Sequence, residues 1–522
     1  MMLVRRMKPM SAFLALALLL GACNGGTHRV SSSAGTLPRG VPEAEGVSSD
    51  GIREFLDSFE GTNHEMHSLM LVRHGKVVAE GWWGPYAPDL THSMYSTSKS
   101  FTATAVGFAV SEGLLSVDDK VISFFPELVP DPMPPHLAEL TVKHLLSMTV
   151  GHDPDPSRVI PGMSDWVKAF LATPIVHEPG TVFLYNSMGS HVLSAIVTKV
   201  TGEKAIDYLM PRLFEPLGIS GIDWETSPEG SNTGGWGLRL HTEDMAKFGQ
   251  LFLQDGVWNG KRLLPEGWVA EASSFKIQQD PARPADERAK SDWHQGYCYQ
   301  MWRCRHNAFR ADGAFGQYIV VMPDQDAVLA ITSQTDNMQG VLDLAWEHLL
   351  PAMHDGALPA NEAGLAALRE ELGGLALPVP AAKASPGMES SVSGKTYALD
   401  PNERTMKRIG FAFEKGTLSL TVEDNYGAHA IPMGVGAWAY SETERRGPNL
   451  VARAMNSLVG QSPFKVAGAY RWLDDGGLEL TLRYIESPHT ERFVCRFADD
   501  RIAIDIDTGV GPPVKAEGAI AR

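Results

Sequence analysis

Cysteine is scarce in this chain, with four residues among 522. Cys298, Cys304 and Cys495 lie beyond the N-terminal region, and an odd number of cysteines does not build a disulfide-held scaffold. Cys298 and Cys304 fall in what we predict to be one strand, where six residues span about 20 Å, beyond disulfide reach. No Cys or His pair with zinc spacing has a second pair to match it. We therefore predict free, packed thiols, no metal site and no cofactor.

Basic residues are also in deficit. The chain has 45 lysines and arginines against 62 aspartates and glutamates, which gives a net charge of −17, and no basic block offsets the excess. A polyanion would be repelled, which excludes nucleic acid as a partner. The hydrophobic share of 43% is ordinary for a globular protein. At roughly 100 to 200 residues per domain, the length favours two or three domains.

Long apolar runs are missing, apart from Ala12–Leu20 close behind Arg5, Arg6 and Lys8. This run is too short to span a bilayer as a final helix, but it suits the core of a signal peptide. Residues 1–22 are therefore predicted to be a removable leader.

The stretch Leu20-Gly21-Ala22-Cys23 resembles the cleavage box of bacterial lipoproteins. Cleavage there would leave Cys23 to be lipidated, with residues 23–37 as a flexible tether rich in Gly, Ser and Thr. An ordinary secretory signal with an incidental cysteine is the alternative. The membrane is then a partner through the lipid on Cys23. By resemblance to Gram-negative lipoproteins, Asn24 favours the periplasmic face of the outer membrane over other parts of the cell envelope.

Residues 38–355 form one predicted domain in which strands come first and last and helices fill the middle. Strands are predicted at Ser68–Arg73 and Val77–Trp83, and strand character returns over residues 296–333. This order predicts an α+β fold: one antiparallel sheet flanked by helices, with a separate helical lobe. Further helices are predicted over residues 48–60, 96–112, 142–148, 187–202 and 338–350, and after an N-cap at Thr242.

Residues 356–388 are rich in Ala, Pro, Leu and Gly, which predicts a linker holding one short helix near Ala363–Leu372. Residues 389–522 are predicted to be a β-rich C-terminal domain. Apolar residues alternate there with polar ones, as expected of half-buried antiparallel strands in a small sandwich or barrel. The clearest alternating sets are Leu418, Leu420 and Val422; Leu478, Leu480, Leu482 and Tyr484; Phe493, Cys495 and Phe497; and Ile502, Ile504 and Ile506.

Ser96-Thr97-Ser98-Lys99 is a Ser-x-x-Lys motif at the predicted start of a helix. Residues i and i+3 share a helix face, so Lys99 lies one turn from Ser96. A serine hydroxyl is a weak nucleophile until a base removes its proton, and a desolvated lysine of lowered pKa can do so. The motif alone is weak evidence for a nucleophile, because two further Ser-x-x-Lys sequences begin at Ser273 and Ser462. A solvated or capping serine is the alternative for any copy, and the long helix after Ser96 sets that copy apart.

Tyr185-Asn186-Ser187 is the only Tyr-x-Ser in the chain. A tyrosine beside a lysine can be partly ionised and relay a proton between nucleophile and leaving group. The alternative is a buried tyrosine with a structural hydrogen bond. The position well downstream of Ser96, with helices between, favours the relay.

Together these motifs resemble the serine β-lactamase and penicillin-binding-protein superfamily, in its class C, esterase and 6-aminohexanoate-dimer hydrolase branch. The resemblance covers roughly residues 40–350. It implies a covalent acyl-enzyme on Ser96, with Lys99 as base and Tyr185 as relay. Ser187 stands where many relatives have Asn and offers one donor instead of two. Further support comes from Glu80–Trp83, Leu145–Thr149, Gly234–Leu238 and Asp312–Tyr318.

The third family motif departs from the pattern. Relatives that process penicillins usually have Lys-Thr-Gly on the strand that lines the site, and here the matching residues are Ala311-Asp312-Gly313. The cation that would hold a β-lactam carboxylate is missing, and Asp312 would repel one. Gly313 still lets substrate approach the strand backbone. By analogy, the amides of Ser96 and Ala314 form the oxyanion hole.

Two further residues are candidates for substrate binding. Trp236 could offer a platform, although tryptophans are more often core or rim residues. Alternation along a predicted strand puts Arg303 and Arg305 on one face, where Arg303 could bind a substrate carboxylate; a solvated face is the alternative.

The leading hypothesis is an envelope serine hydrolase that acts on a small ester or amide. Within the family, the alternatives are a β-lactamase or a D-amino-acid peptidase. A non-catalytic envelope binding or sensor protein is the alternative from another class. The sequence leaves the oligomeric state open.

Overall fold

The computed structural model describes residues 35–451 and 463–521. The predicted leader, the lipidation site Cys23, most of the tether and Ser462 lie outside these ranges, so what was inferred for them stays a prediction. Within the described ranges, no helix is long and apolar enough to cross a membrane.

The first part of the chain has mixed α/β structure, as expected. Its strands are β1 Glu65–Arg73, β2 Lys76–Trp82, β3 His92–Ser93, β4 Asp223–Trp224, β5 Leu238–Leu240, β6 Val257–Trp258, β7 Lys261–Arg262, β8 Trp302–Arg303, β9 Phe309–Gly313, β10 Gln317–Met322 and β11 Ala327–Gln334. Six of them form an antiparallel sheet in the order β2-β1-β11-β10-β9-β8. The first strands therefore pair with the last ones, because β1 lies beside β11.

Most helices fall between those strands. They are α1 Ser49–Asp57, α2 Ser98–Ser111, α3 Val121–Phe124, α4 Val142–Leu146, α5 Trp166–Ala172, α6 Ser187–Thr201, α7 Ala205–Leu209, α8 Thr242–Leu253, α9 Trp268–Ser273, α10 Ala285–Arg288, α11 Met338–Leu344, α12 Glu362–Gly374 and α13 Pro386–Val392. Side-chain caps start several of them; Asn186 Oδ1, for example, accepts from the amide of Gly189 at 2.9 Å before α6. The same helix ends at Gly202, whose φ of 75° suits a residue without a Cβ.

α2 is buried along almost its whole length, from Ser98 to Ala109. Apart from Lys99, its residues are small or apolar, so other elements can pack on every side of it. The neighbours are close: a Cβ added at Gly107 would lie 2.3 Å from the ring of Trp268. The start of α2 is thereby held in a fixed position inside the domain.

Three local predictions were wrong. The N-cap of α8 is His241, and Thr242 is its first residue; the His241 ring and Asp244 form a reciprocal capping box. Cys298 and Cys304 do not share a strand, because only Trp302–Arg303 is extended there. Strand alternation consequently does not apply to Arg305, which follows the end of β8. Cys298, Cys304 and Cys495 are nevertheless buried free thiols, as predicted.

The predicted linker contributes to the core of the first domain. Its helix, α12, is longer than expected and packs on α1 and β2. Leu368 is buried in the cluster formed by one face of the sheet. A Cβ added at Gly81 would lie 2.6 Å from Leu375 and 3.0 Å from Leu372, so β2 and the end of α12 are in close contact.

The C-terminal part is a separate all-β barrel. Its strands are β12 Lys395–Leu399, β13 Arg408–Glu414, β14 Thr417–Asp424, β15 Gly427–Val435, β16 Ala439–Thr443, β17 Phe464–Trp472, β18 Leu478–Tyr484, β19 Thr490–Ala498, β20 Arg501–Asp507 and β21 Val514–Ile520. They form one ten-stranded sheet, and β15 also pairs with β17, which closes it. The alternating residues of β14, β18 and β20 point inward, because period-2 patterning puts apolar side chains on one face.

The barrel docks on the first domain through the turn between β18 and β19. In this turn the carbonyl oxygen of Glu486 accepts from the amide of Ser93 at 2.9 Å, and the carboxylate of Glu486 pairs with Arg239 at 3.1 Å. Arg483, near the end of β18, pairs with Glu65 at 2.5 Å. Since Ser93 lies just before Ser96, the barrel reaches the segment that leads into α2.

Candidate active site

Lys99 is the centre of a hydrogen-bonded cluster. A 3-10 turn, Tyr95–Thr97, runs directly into α2 and puts Ser96 and Lys99 on one side. The Nζ atom of Lys99 donates to Ser96 Oγ at 3.0 Å, to Ser187 Oγ at 3.0 Å and to the carbonyl oxygen of Gly235 at 2.6 Å. The start of α2, the start of α6 and the chain before β5 therefore meet at this amine.

The environment of Lys99 disfavours its charge. The residue is 1% exposed, and burial lowers the pKa of its amine to about 7. Asp155 and Asp312 are near enough to oppose this shift, but burial outweighs them. At neutral pH a large fraction of Lys99 is therefore a neutral amine. In that form its two N–H groups donate to Ser187 Oγ and to the carbonyl oxygen of Gly235, and its lone pair accepts from the hydroxyl of Ser96.

Tyr185 lies against the same amine, with Lys99 Nζ 4.9 Å from the centre of its ring. Burial raises the pKa of the phenol well above its usual range, and a hydrogen bond with Ser96 only partly offsets this. The predicted partial ionisation of Tyr185 is therefore wrong, because burial penalises the phenolate. Tyr185 is a neutral phenol in contact with the hydroxyl of Ser96.

Asp312 lies in β9 with its charge compensated. Arg310, two residues earlier on the same strand face, donates from Nε to Asp312 Oδ2 at 2.8 Å, and both side chains are buried. Arg310 also donates to the carbonyl oxygen of Asp292 at 2.8 Å and lies over the ring of Trp293 at 4.3 Å. From the sequence, Asp312 was expected to be an unpaired carboxylate that repels a substrate carboxylate. In the structure it is instead one partner of a buried ion pair.

Gly313 brings β9 against the turn that carries Ser96. A Cβ at this position would lie 2.2 Å from the carbonyl oxygen of Met94 and 3.0 Å from Thr97 Oγ1, so a larger residue does not fit. β8 pairs with β9 only up to Arg310, and among residues 35–451 and 463–521 no strand lies beside this edge from Ala311 onward. Ala314 follows this open edge directly.

The amide of Ser96 lies in the first turn of a helical segment, where backbone N–H groups have no partner within the helix. Ser96 and Ala314 are thus on the two segments that Gly313 holds together. The oxyanion hole formed by their two amides stays a prediction.

Trp236 and Arg303 lie outside the cluster around Lys99. Trp236 is 3% exposed and belongs to the main core, where its indole N–H donates to Glu225 at 3.1 Å. Arg303 donates to Asn307 at 2.9 Å and to the carbonyl oxygen of Ser273. The structure therefore gives Trp236 and Arg303 local partners and joins neither to Ser96.

Three contributors were not predicted from the sequence: Arg310, the carbonyl of Gly235, and His489 of the barrel, whose Nε2 is hydrogen-bonded to the hydroxyl of Tyr95 next to Ser96. Arg310 could have been predicted, because residues two apart on a strand lie on the same face, and Arg310 is two residues before Asp312. The role of the Gly235 carbonyl could not be predicted, because every residue has a backbone carbonyl. The residues around His489 do not indicate which surface of the first domain it contacts.

No group of three or more His, Cys, Asp or Glu residues is arranged to hold a metal ion in the part of the chain that the structure describes.

A family model for beta-lactamase matches residues 61–352, more than half of the chain. The chain is 26% identical over 285 residues to the 6-aminohexanoate-dimer hydrolase of Paenarthrobacter ureafaciens, covering 50% of this chain and 71% of the relative. It is 28% identical over 314 residues to penicillin-binding protein 4 of Amycolatopsis lactamdurans, covering 52% of this chain and 77% of the relative. The octameric penicillin-binding protein homologue from Pyrococcus abyssi superposes with a TM-score of 0.47 and 16% identity, over 90% of this chain and 99% of that one.

The chain belongs to the beta-lactamase family, whose members are serine hydrolases, and the family match covers the domain that carries Ser96, Lys99 and Tyr185. The predicted superfamily and fold class are confirmed: a β-lactamase-like domain with an antiparallel sheet and helices, followed by an all-β domain.

Proposed function

We propose that this protein hydrolyses a small ester or amide through an acyl-enzyme on Ser96. The observation that carries the proposal is the 3.0 Å hydrogen bond between Lys99 Nζ and Ser96 Oγ, at an amine whose pKa burial lowers to about 7. A base works best when its pKa lies near the working pH, because enough of it is unprotonated and it still accepts a proton readily.

In acylation, Ser96 Oγ attacks the substrate carbonyl carbon while its proton passes to Lys99. The amides of Ser96 and Ala314 donate to the oxyanion that forms. The neutral phenol of Tyr185 then donates its proton to the leaving alcohol or amine, and Lys99 restores it. The carbon–oxygen or carbon–nitrogen bond breaks, which leaves an ester on Ser96.

In deacylation, water attacks the ester carbon and gives one proton to the Lys99–Tyr185 pair. Ser96 Oγ leaves and takes that proton back, so the products are one acid and one alcohol or amine. Ser187 holds the amine of Lys99 in place through both steps, since its Oγ lies 3.0 Å from Nζ. An ester or amide suits the site better than a β-lactam, because Asp312 replaces the cation that would bind the lactam carboxylate.

A fluorophosphonate probe is expected to phosphonylate Ser96, with loss of fluoride, at a rate that depends on pH. Since only unprotonated Lys99 acts as a base, the labelling rate should fall about tenfold per pH unit below pH 7 and level off above it. Peptide mass spectrometry locates the adduct, and Ser96→Ala should abolish it.

The second Ser-x-x-Lys copy supplies a matched control. Ser273 Oγ donates to the carbonyl oxygen of Val269 at 2.8 Å, and Lys276 is paired with Glu271 at 2.6 Å, so neither group is activated. Ser273→Ala should leave the labelling unchanged. A folded protein that carries no adduct, or carries it elsewhere than on Ser96, would contradict the proposed function.

A further inference from the structure

A wide apolar groove begins at the catalytic tyrosine. It has a volume of about 800 Å³, within the usual range for ligand sites, and it is open to solvent. Its walls are formed by residues 181–185, residues 277–281, the pair Trp293 and His294, and Trp302. Its main apolar lining residues are Phe183, Tyr185, Ile277, Pro281, Trp293 and Trp302.

The aromatic walls are held by one another. The ring of Trp302 stacks on Tyr185 with 5.7 Å between ring centres, and Phe183 meets Trp302 edge-on at 5.6 Å. Trp293 lies 6.2 Å from Trp302 and is also covered by the guanidinium of Arg310. These contacts leave the groove preformed, so a ligand would not need to order its walls.

Charge is sparse along these walls. No lysine or arginine is among the groove residues that the structure describes. The carboxylate of Asp280 is paired with Arg283 at 3.0 Å, and burial lowers the pKa of His294, which leaves that ring neutral at pH 7. Arg310 lies behind Trp293, but it is fully buried and already paired with Asp312. An anionic group would therefore lose its hydration here without reaching a cation.

We propose that this groove binds a neutral apolar group of the substrate, an aromatic ring or an alkyl chain. The inference deepens the proposed function and rests on it, because Tyr185 belongs to both places. Its hydroxyl bonds with Ser96, and its ring is part of the groove wall. A group lying on Tyr185 and Trp302 is thus attached next to the carbonyl that Ser96 attacks.

Chain-length preference tests this assignment. Each added CH₂ group that enters the groove should raise kcat/KM about fourfold, from the free energy of transferring a methylene out of water. With p-nitrophenyl esters, hexanoate should exceed acetate by on the order of 10²-fold. The p-nitrophenyl ester of hemi-adipate, of similar length but with a terminal carboxylate, should lose most of this gain.

Val182 and Val176 make a matched pair of variants. Val182 lies on the groove and is 38% exposed, whereas Val176 is 57% exposed and is not part of the groove. Val182→Asp should reduce the hexanoate-to-acetate ratio at least tenfold, while Val176→Asp should leave it unchanged. A flat ratio in the wild type, or equal losses in both variants, would overturn the assignment.

Binding can be measured without turnover. In titration calorimetry, Ser96→Ala should bind hexanamide more tightly than acetamide. Adding Val182→Asp to this variant should weaken its affinity for hexanamide. Labelled Ser96 with no chain-length preference would reject the groove and keep the hydrolase. Hexanamide binding without any labelling would reject the hydrolase and keep the groove. Equal binding of hexanamide and acetamide would reject the groove whatever the labelling shows.

A separate observation concerns the barrel and the two segments that carry the oxyanion amides. Tyr95 and Phe315, which flank Ser96 and Ala314, have φ values of 45° and 67°, in the left-handed region that disfavours side chains. Both rings pack edge-on against the His489 ring of the barrel, at 5.7 and 5.4 Å. The Tyr95 hydroxyl is also hydrogen-bonded to Nε2 of His489.

The protonation states fit this bond. Burial lowers the pKa of His489 to about 3 and raises that of Tyr95 above its usual range. The phenol therefore donates and the neutral imidazole accepts. We infer that His489 is a positioning residue, through which the barrel holds both oxyanion segments.

His489→Ala should lower kcat by about 10- to 100-fold with KM changed less than about threefold, because a small displacement of an oxyanion donor affects mainly the transition state. His489→Gln, which keeps an acceptor, should recover part of kcat. His429→Ala is the matched control, since His429 is buried in the same barrel beside Asp424. A similar kcat loss in His429→Ala, or a rise in KM at constant kcat in His489→Ala, would reject this role.

Discussion

Replacement of Lys99 with methionine is expected to lower kcat/KM at pH 8 by about 10³- to 10⁴-fold, near the upper end of what one acid–base group contributes. Methionine keeps most of the volume and removes the amine, so the proton of Ser96 has no acceptor in the right place. The packing should tolerate the change, because the buried amine costs desolvation that methionine does not. Ester turnover and the fluorophosphonate labelling rate both measure the loss.

The pH profile separates this role from a structural one. In the wild type, activity rises with pH through about 7 as Lys99 loses its proton. In Lys99→Met the rise in activity near pH 7 should disappear. Activity should then stay low and independent of pH until direct attack by hydroxide dominates at high pH. A variant that keeps the wild-type limb at reduced amplitude would show that a group other than Lys99 titrates.

Arg310→Met is expected to destabilise the protein by about 3–5 kcal/mol, the usual cost of removing one partner from a buried ion pair. Burial raises the pKa of Asp312, and Arg310 is the main group that opposes this shift. Without the guanidinium, Asp312 must either remain a buried charge or take up a proton. Guanidinium unfolding of both proteins measures the difference.

Arg303 is the matched control for this variant. Its partners are Asn307 and a carbonyl oxygen, and it is less buried than Arg310, so Arg303→Met should cost less than about 1 kcal/mol. The double variant Arg310→Met with Asp312→Leu should recover much of the lost stability, because no unpaired charge remains. Equal losses for Arg310→Met and Arg303→Met would contradict the importance assigned to the buried pair.

Local signals predicted much of the β-lactamase-like domain. The helix α6 was predicted to end at Gly202, and it does, because a glycine there acts on the helix within a few residues. The alternation of apolar and polar residues correctly predicted strands β14, β18 and β20. Errors came where a neighbour in space decided the outcome, as at Cys298–Cys304, where the chain folds back beside β9 and extends only at Trp302–Arg303.

The candidate site was predictable as a set of residue types and only partly as a geometry. The spacing of Ser96 and Lys99 puts both residues on one side of the helical segment, which brings their side chains within reach of each other. The direction of the Tyr185 pKa shift was misjudged because it depends on burial, which only packing determines. The same holds for Asp312: its charge is compensated by Arg310, so it repels an anionic substrate less than an isolated carboxylate would.

Residue identities and spacing were enough to predict the Ser-x-x-Lys motif, the family, the order of the two folded parts and the inward faces of the barrel strands. These depend on residue identity and spacing along the chain, which are local properties. Packing in three dimensions was needed to establish the lowered pKa of Lys99, the pairing of Arg310 with Asp312, the groove beside Tyr185 and the contact of His489 with Tyr95. Each of these requires segments far apart in sequence to exclude water together, and burial of that kind is a property of the packed fold.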